Sequence, residues 1–305
     1  MKTSLFLAAL AAFTTAGATE NPLWMRYCSI SPDGSTIAFC YKGDIYTVPS
    51  TGGNARQLTT NPAYDTHPIW SPDGQQIAFA SSRQGSMDIY IVSKDGGIYW
   101  CEQKKESKNT CSNAPGAVFA LKLFQATQDD AYLKEGKELY EWTKKNLEDP
   151  KDHLYFDNIS LNKKIGRAKF AYNSGQMMQA AALLYQITKQ KSYLEDAQNI
   201  AEACHKHFFT HFTSPDGQTF QLLKKGNIWF TAVMLRGFIE LYQIDHNKTY
   251  LTDFQKSLDY AWHHARDERG LFQTDWSGTD KNEKKWLLTQ AAFIEMYGRL
   301  GGIDL

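Results

Sequence analysis

The sequence lacks a net charge: 33 Lys and Arg balance 33 Asp and Glu over 305 residues. No basic excess points to a nucleic-acid partner, and no acidic tract points to a disordered tail. It also lacks an apolar run long enough for a membrane; the N-terminal stretch Leu5 to Phe13 is too short to cross a bilayer. There is no Gly-x-Ser-x-Gly elbow and no His-Glu-x-x-His helix, which excludes two common hydrolase designs. Gly301-Gly302 has no phosphate-loop context, and no motif calls for a cofactor. Cysteine is sparse and odd in number. Cys28 and Cys40 can face each other across a hairpin, and Cys101 and Cys111 are near in sequence, but with Cys204 the five form no disulfide framework. No Pro- or Ser-rich linker divides the chain.

What is present begins with a processing signal. Lys2 supplies a short positive region, the apolar run follows, and Ala16-Gly17-Ala18 is a small-residue cleavage site. Residues 1–18 read as a secretory signal removed after Ala18, which places the mature chain in the periplasm or outside the cell. With 16 Tyr and 8 Trp, the aromatics suit either a well-filled helical core or a neutral, hydroxyl-rich ligand such as a glycan.

Residues 19–96 read as β. Ser31-Pro32-Asp33-Gly34, Thr36-Ile37-Ala38-Phe39 and Asp44-Ile45-Tyr46 recur about 40 residues later as Ser71-Pro72-Asp73-Gly74, Gln76-Ile77-Ala78-Phe79 and Asp88-Ile89-Tyr90. Pro presets φ and Gly accepts a positive φ, so Pro-Asp-Gly between apolar runs is a turn. A strand-rich repeat of this length is a propeller blade. The words resemble TolB-like and tricorn-protease-like propellers, over about two blades.

From Ile98 onward the period becomes helical. Leu123-Phe124-Gln125, Leu184-Tyr185-Gln186 and Leu241-Tyr242-Gln243 each close one helix, and Tyr132-Leu133, Tyr193-Leu194 and Tyr250-Leu251 each open the next. Apolar residues three and four apart mark the second helices. A lone hairpin cannot bury its apolar face, so neighbours must stack. About three and a half hairpins fit between Ile98 and Leu305. The fold expected is α+β in two segments: about two propeller blades (19–96), then an incomplete (α/α)6 toroid of helical hairpins (97–305).

Several separated motifs resemble glycoside hydrolase family 76: Gly97-Ile98-Tyr99-Trp100, Lys108-Asn109-Thr110, Ser112-Asn113, Tyr172-Asn173-Ser174-Gly175, Trp229-Phe230 with Arg236-Gly237, and Asp275-Trp276-Ser277-Gly278. The resemblance covers about 205 residues. It implies a toroid that cleaves α-1,6-mannan with retention, by an adjacent Asp-Asp pair in the first half of the fold. Retention needs two carboxyl groups about 5–5.5 Å apart, one with its pKa raised so that it keeps a proton. That pair should precede Trp100, where the propeller-like segment stands instead. Asp129-Asp130 is the sole Asp-Asp of the sequence. Its repeat copies read Gln190-Lys191 and Asn247-Lys248, as a solvated turn would, so no catalytic residue is assigned.

Substrate-binding candidates remain, the ligand implied being α-mannan or a mannose-containing glycan. Asn109 and Asn113, four apart ahead of Pro115 and a helix start, share a face toward sugar hydroxyls if helical, and Asn113 can equally be a cap. Tyr172 and Asn173 open a helix in either role. Trp100 and Trp276 either stack on sugar rings or fill the core. Arg236, inside the apolar helix Phe230–Tyr242, demands a hidden ion pair or a site role. Cys204, His207 and His211, at i, i+3 and i+7 of one expected helix, have metal-ligand spacing but no fourth ligand, and are read as packing. Ser214-Pro215-Asp216-Gly217 is read as a turn linking helices. Three functions follow: a secreted glycoside hydrolase, a non-catalytic glycan-binding or inert fusion fragment, or a propeller accessory of a tricorn-like protease.

Overall fold

The computed structural model describes residues 24–305 apart from 84, 94–95 and 102–103; the expected signal segment, 1–18, lies outside the described residues. The chain divides into two units, one spanning the strands up to Val92 and one formed by Thr60–Pro62 and Ser93–Leu305.

The first unit holds two antiparallel meanders. One is β1 (Arg26–Ile30), β2 (Thr36–Tyr41), β3 (Asp44–Pro49) and β4 (Arg56–Gln57); the other is β5 (Asp65–Trp70), β6 (Gln76–Ser81) and β7 (Asp88–Ser93). The sequence repeat is a structural repeat down to its irregularities. Each first hairpin carries a bulge, at Tyr27 (φ 54°) and His67 (φ 53°), and the two rings meet with centroids 3.7 Å apart, tilted by 30°. In each Ser-Pro-Asp-Gly turn the serine hydroxyl donates to the aspartate at 2.5 Å, for Ser31–Asp33 and Ser71–Asp73. Ala38, Cys40, Ile45, Trp70, Ile77 and Phe79 form the small core, and the Trp70 indole donates to the Ser29 carbonyl at 2.9 Å. Cys28 and Cys40 are not bridged: Cys28 is exposed, while Cys40 is buried with its thiol on the Asp65 carbonyl.

The second unit runs β8 (Ser107–Asn109), α1 (Thr110–Thr127), α2 (Asp130–Leu147), β9 (Phe156–Ser160), β10 (Ile165–Lys169), α3 (Ala171–Thr188), α4 (Lys191–Phe208), β11 (Phe209–Thr213), β12 (Thr219–Leu223), α5 (Ile228–Asp245), α6 (Thr249–His264) and α7 (Leu287–Leu300). The strands correct the purely helical expectation. β8, β9 and β10 form one sheet, and β11–β12 is a hairpin around Ser214-Pro215-Asp216-Gly217. The Pro-Asp-Gly word therefore makes a hairpin here too, with Ser214 again hydrogen-bonded to Asp216. α4 stops at Phe208, so His211 stands on β11 and leaves the helical stripe it was expected to share with Cys204 and His207.

The hairpin turns follow from one device. The helices α1, α3 and α5 each end at a residue in the left-handed region, Gln128 (φ 59°), Lys189 (φ 59°) and His246 (φ 55°). In each, the cap N–H returns to the carbonyl of the aromatic residue of the Leu-aromatic-Gln repeat: Phe124, Tyr185 or Tyr242. The next helix then runs back antiparallel. α1, α3, α5 and α7 pack side by side as an inner row, so they are parallel, and α2, α4 and α6 lie outside them. The outer helices bury one stripe, such as Tyr193, Ala197, Ile200, Ala201 and Cys204 of α4.

The inner row is held by close approach. α3 buries twelve residues, many small, from Ala171 to Leu184. A Cβ on Gly175 would overlap the Met234 backbone, and one on Gly237 would overlap the Gly175 carbonyl. These two glycines set the α3–α5 distance. Glu240 of α5 then accepts from Gln179 of α3 and Lys122 of α1, both within 3.2 Å. Arg236 resolves into an ion pair: it reaches Glu295 of α7 through two hydrogen bonds of 2.7 and 2.9 Å, and Arg299 adds a third. Burial pushes the Glu295 carboxyl up, but the two arginines outweigh it and hold it below its ordinary value.

Gly237→Ala should lower stability by about 1–3 kcal/mol through overpacking, read as a fall in melting temperature with helical content retained. The Glu295 pKa is depressed on folding, so its stabilisation is present above the ordinary carboxyl value of 4.5 and is lost as pH falls through the folded value. Arg236→Met should therefore cost about 1 kcal/mol at neutral pH, and its melting temperature should converge with that of the unmodified chain as acidification protonates Glu295 in the folded state.

Candidate functional site

Because the inner helices are parallel, their N-termini share one end of the second unit. Every crossover between hairpins returns to that end: the β8–β9–β10 sheet, the β11–β12 hairpin and the 265–286 segment. The turns between paired helices occupy the other end. An end built of helix N-termini and loops carries unpaired N–H groups and freely placed side chains, which is where a ligand site is assembled most readily.

An aromatic cluster sits there. Phe170 and Tyr172, at the start of α3, stack 5.8 Å apart, and Tyr172 lies 4.2 Å from Phe230 and 6.3 Å from Trp229, at the start of α5. Trp229 is exposed and the other three are half-buried. Burial, with Cys111 and the Asp157 carboxylate nearby, raises the Tyr172 pKa, so its hydroxyl is a neutral donor. Burial, and after it the Asp157 carboxylate, raise the Cys111 thiol. Asp157, on β9, accepts from the Asn158 amide at 2.8 Å. Trp286, just ahead of α7, is exposed at the same end.

The candidates from the sequence divide sharply. Trp100 is 63% exposed, and its N–H donates to the Ser107 carbonyl beside α1. Asn109 is the N-cap residue of α1 but makes no side-chain cap; its amide oxygen accepts from Ser107 at 2.7 Å. The expected helix start at Pro115 is corrected: α1 begins at Thr110, and Pro115 lies inside it. Asn113 is consequently neither cap nor surface residue. It is fully buried, and its amide clamps both the N–H (2.6 Å) and the carbonyl (2.9 Å) of Ile98, fastening the incoming chain segment to α1. Asn173 is fully buried, with neither amide atom hydrogen-bonded to protein. Arg236 is committed to Glu295.

Trp276 is corrected outright. Its indole is fully enclosed, 4.9 Å from Phe293, and cannot offer a face to a ligand. The surrounding Asp-Trp-Ser-Gly motif is a loop device. Asp275 accepts from the backbone of Ser277 and Asp280 and from the Ser277 hydroxyl. Gly278 holds φ 72°, where a Cβ would overlap the His264 carbonyl at the end of α6. Sequence reasoning missed Asp157, Phe170 and Trp286, and assigned no role to Trp229. The available signal was that Phe170, Trp229 and Trp286 each stand beside the start of an inner helix, at repeat-related places.

Asp129 and Asp130 lie at the opposite end. Asp129 is the N-cap of α2, exposed, with its carboxylate on the Ala131 N–H at 2.9 Å. The 18 residues of α1 separate this turn from the aromatic end, about 27 Å of helix. Among the described residues no group of three or more metal-ligating side chains is gathered, and no helix is long and apolar enough to cross a membrane.

Comparisons with known proteins agree with this division. Residues 22–100 match the model of the tricorn protease N-terminal β-propeller domain, and residues 90–297 that of glycosyl hydrolase family 76. The tricorn protease homolog 1 of Streptomyces coelicolor is 30% identical over 108 residues, which are 34% of this chain and 10% of that protein. A family 76 glycoside hydrolase from a bovine Bacteroides thetaiotaomicron strain is 42% identical with a TM-score of 0.65, over 67% of this chain and 46% of that one. An inactive α-1,6-mannanase variant from a Salegentibacter species, with two adjacent aspartates replaced and α-1,6-mannotriose bound, is 30% identical with a TM-score of 0.56, over 67% of this chain and 63% of that one. The chain thus spans about half to two-thirds of the length of these solved relatives and a tenth of the curated one. The family match runs through both the helix array and the aromatic end, and on it the chain belongs to glycosyl hydrolase family 76.

Proposed function

We propose that this chain binds α-1,6-linked mannan at the aromatic end of its helix array and does not hydrolyse it unaided. The observation that carries the reading is the position of Asp129-Asp130. The Salegentibacter mannanase is described as inactive when two adjacent aspartates are replaced, and the one adjacent pair here caps an outer helix at the far end. Asp157, the carboxylate beside Tyr172, and Asp275 come from separate elements, Asp275 is spent on its own loop, and Asp149 and Asp152 are held by Lys169. Retaining hydrolysis needs two carboxyl groups with opposed protonation a few ångströms apart.

Trp100, Tyr172 and Trp229 supply ring faces for sugars, Asp157 accepts hydroxyl protons, and the Tyr172 hydroxyl donates. Asn109, Asn113 and Asn173 support this end from beneath. Arg236 acts at a distance, by fixing α7 to α5. In this reading residues 97–305 are part of an (α/α)6 toroid, residues 19–96 are about two propeller blades, and residues 1–18 direct export to the periplasm or beyond.

Purified chain incubated with linear α-1,6-mannan should release no reducing ends above a blank. Turnover that disappears in Asp157→Asn or Asp275→Asn would overturn the proposal. Calorimetric titration with α-1,6-mannotriose should show binding without turnover, weakened on the order of tenfold, or about 1.4 kcal/mol, by Trp229→Ala or Trp100→Ala.

A further inference from the structure

Two grooves on the outer side of the second unit occupy equivalent places in successive repeats. One, of about 520 Å³, lies between the 151–154 segment that follows α2 and the C-terminal half of α4, with Lys224 beside it. The other, of about 360 Å³, lies between the β11–β12 hairpin that follows α4 and the C-terminal half of α6. The helical walls correspond residue for residue, 57 positions apart: Glu202 with Asp259, Ala203 with Tyr260, Lys206 with His263, and His207 with His264. The two grooves are one architectural position with two chemistries.

The first is lined by three lysines, Lys151, Lys206 and Lys224, together with the carboxylates of Asp152 and Glu202. The second keeps two carboxylates and one lysine, Lys256, and adds aromatic rings. Tyr260 and His264 stack 4.2 Å apart at 22°, and Phe220 of β12 packs 5.6 Å from Tyr260. Asp216, from the Pro-Asp-Gly turn, and Asp259 flank them. The Asp216 carboxylate is oriented by the Ser214 hydroxyl and the Gln218 amide (3.0 Å), and that of Asp259 by the Gln255 amide (2.8 Å). Each carboxylate retains further acceptor positions. Hydrogen bonding from Ser214 holds Asp216 below the usual carboxylate range, and burial raises the Tyr260 hydroxyl. Paired carboxylate acceptors, the Tyr260 hydroxyl and the Lys256 ammonium as donors, and an aromatic wall answer a ligand with many hydroxyls and an apolar ring face.

We infer that the groove between β11–β12 and α6 is a second glycan-binding site, on the outer side of that same end and lined by none of the residues of the aromatic cluster. It takes the neutral α-1,6-linked mannose oligosaccharide proposed for the first site, and for that ligand identity it rests on the preceding reading. Two sites on one unit would hold a long polymer at two points, raising its effective local concentration.

The two histidines give a local readout. Imidazole resonances of His263 and His264 in the full chain should shift saturably as α-1,6-mannotriose is added into the millimolar range. The shifts should persist in Trp229→Ala, and apparent affinity should fall at least about tenfold in Asp259→Asn and in Tyr260→Phe. Both variants keep side-chain volume, and an unchanged melting temperature certifies their fold. Absent histidine shifts with calorimetric binding retained would overturn the second site alone, as would shifts that survive both groove variants. No calorimetric binding together with no histidine shifts would overturn both readings.

Discussion

The contact of α3 with α5 through Gly175 and Gly237 is the constraint on which the helical unit rests. Two helices this close admit no side chain at the crossing, so the positions are glycine for reasons of volume rather than backbone conformation. Once α3 and α5 are seated, Glu240 ties α1 to both, and Arg236 carries the row on to α7 through Glu295. The inner row is thus a chain of pairwise contacts, each depending on its neighbour, as expected for a repeat array.

That row decides where chemistry can occur. Parallel inner helices collect their N-termini, and all the loops between hairpins, at one end. The left-handed caps at Gln128, Lys189 and His246 keep the other end to short turns. Aromatic residues beside the helix starts therefore converge although they are distant in sequence: Phe170 and Tyr172 meet Trp229 and Phe230 because α3 meets α5. The same geometry removes Asp129-Asp130 from that end, since a residue in a hairpin turn lies a full helix length from a residue at a crossover. The lateral grooves follow as well, because each crossover segment lies beside the next outer helix.

The helical period, the hairpin repeat, the propeller-like words and the family resemblance were legible in the residues, because each is a local pattern or a string of types. The short strands of the second unit were not. β8 to β12 are three to five residues long and alternate too briefly to register against flanking helices. The third Ser-Pro-Asp-Gly shows the cost: its turn chemistry was read correctly, but Phe209–Thr213 and Thr219–Leu223 were not recognised as strands. The start of α1 was misplaced for a similar reason. Proline marks helix beginnings, yet Pro115 is accommodated inside α1.

The sequence alone determined which segments are strand-rich and which helical, how the hairpins repeat, and which family the second unit resembles, since these depend on composition and spacing along the chain. Only the tertiary structure decided the fate of individual polar and aromatic side chains. Trp100 and Trp276 are the same residue type in motifs of the same family, yet one is exposed and the other enclosed; Asn113 fastens the segment at Ile98 to α1, and Arg236 joins two helices. Burial and partnership arise from elements packed across long sequence separations, and no local pattern encodes which neighbour a side chain will meet.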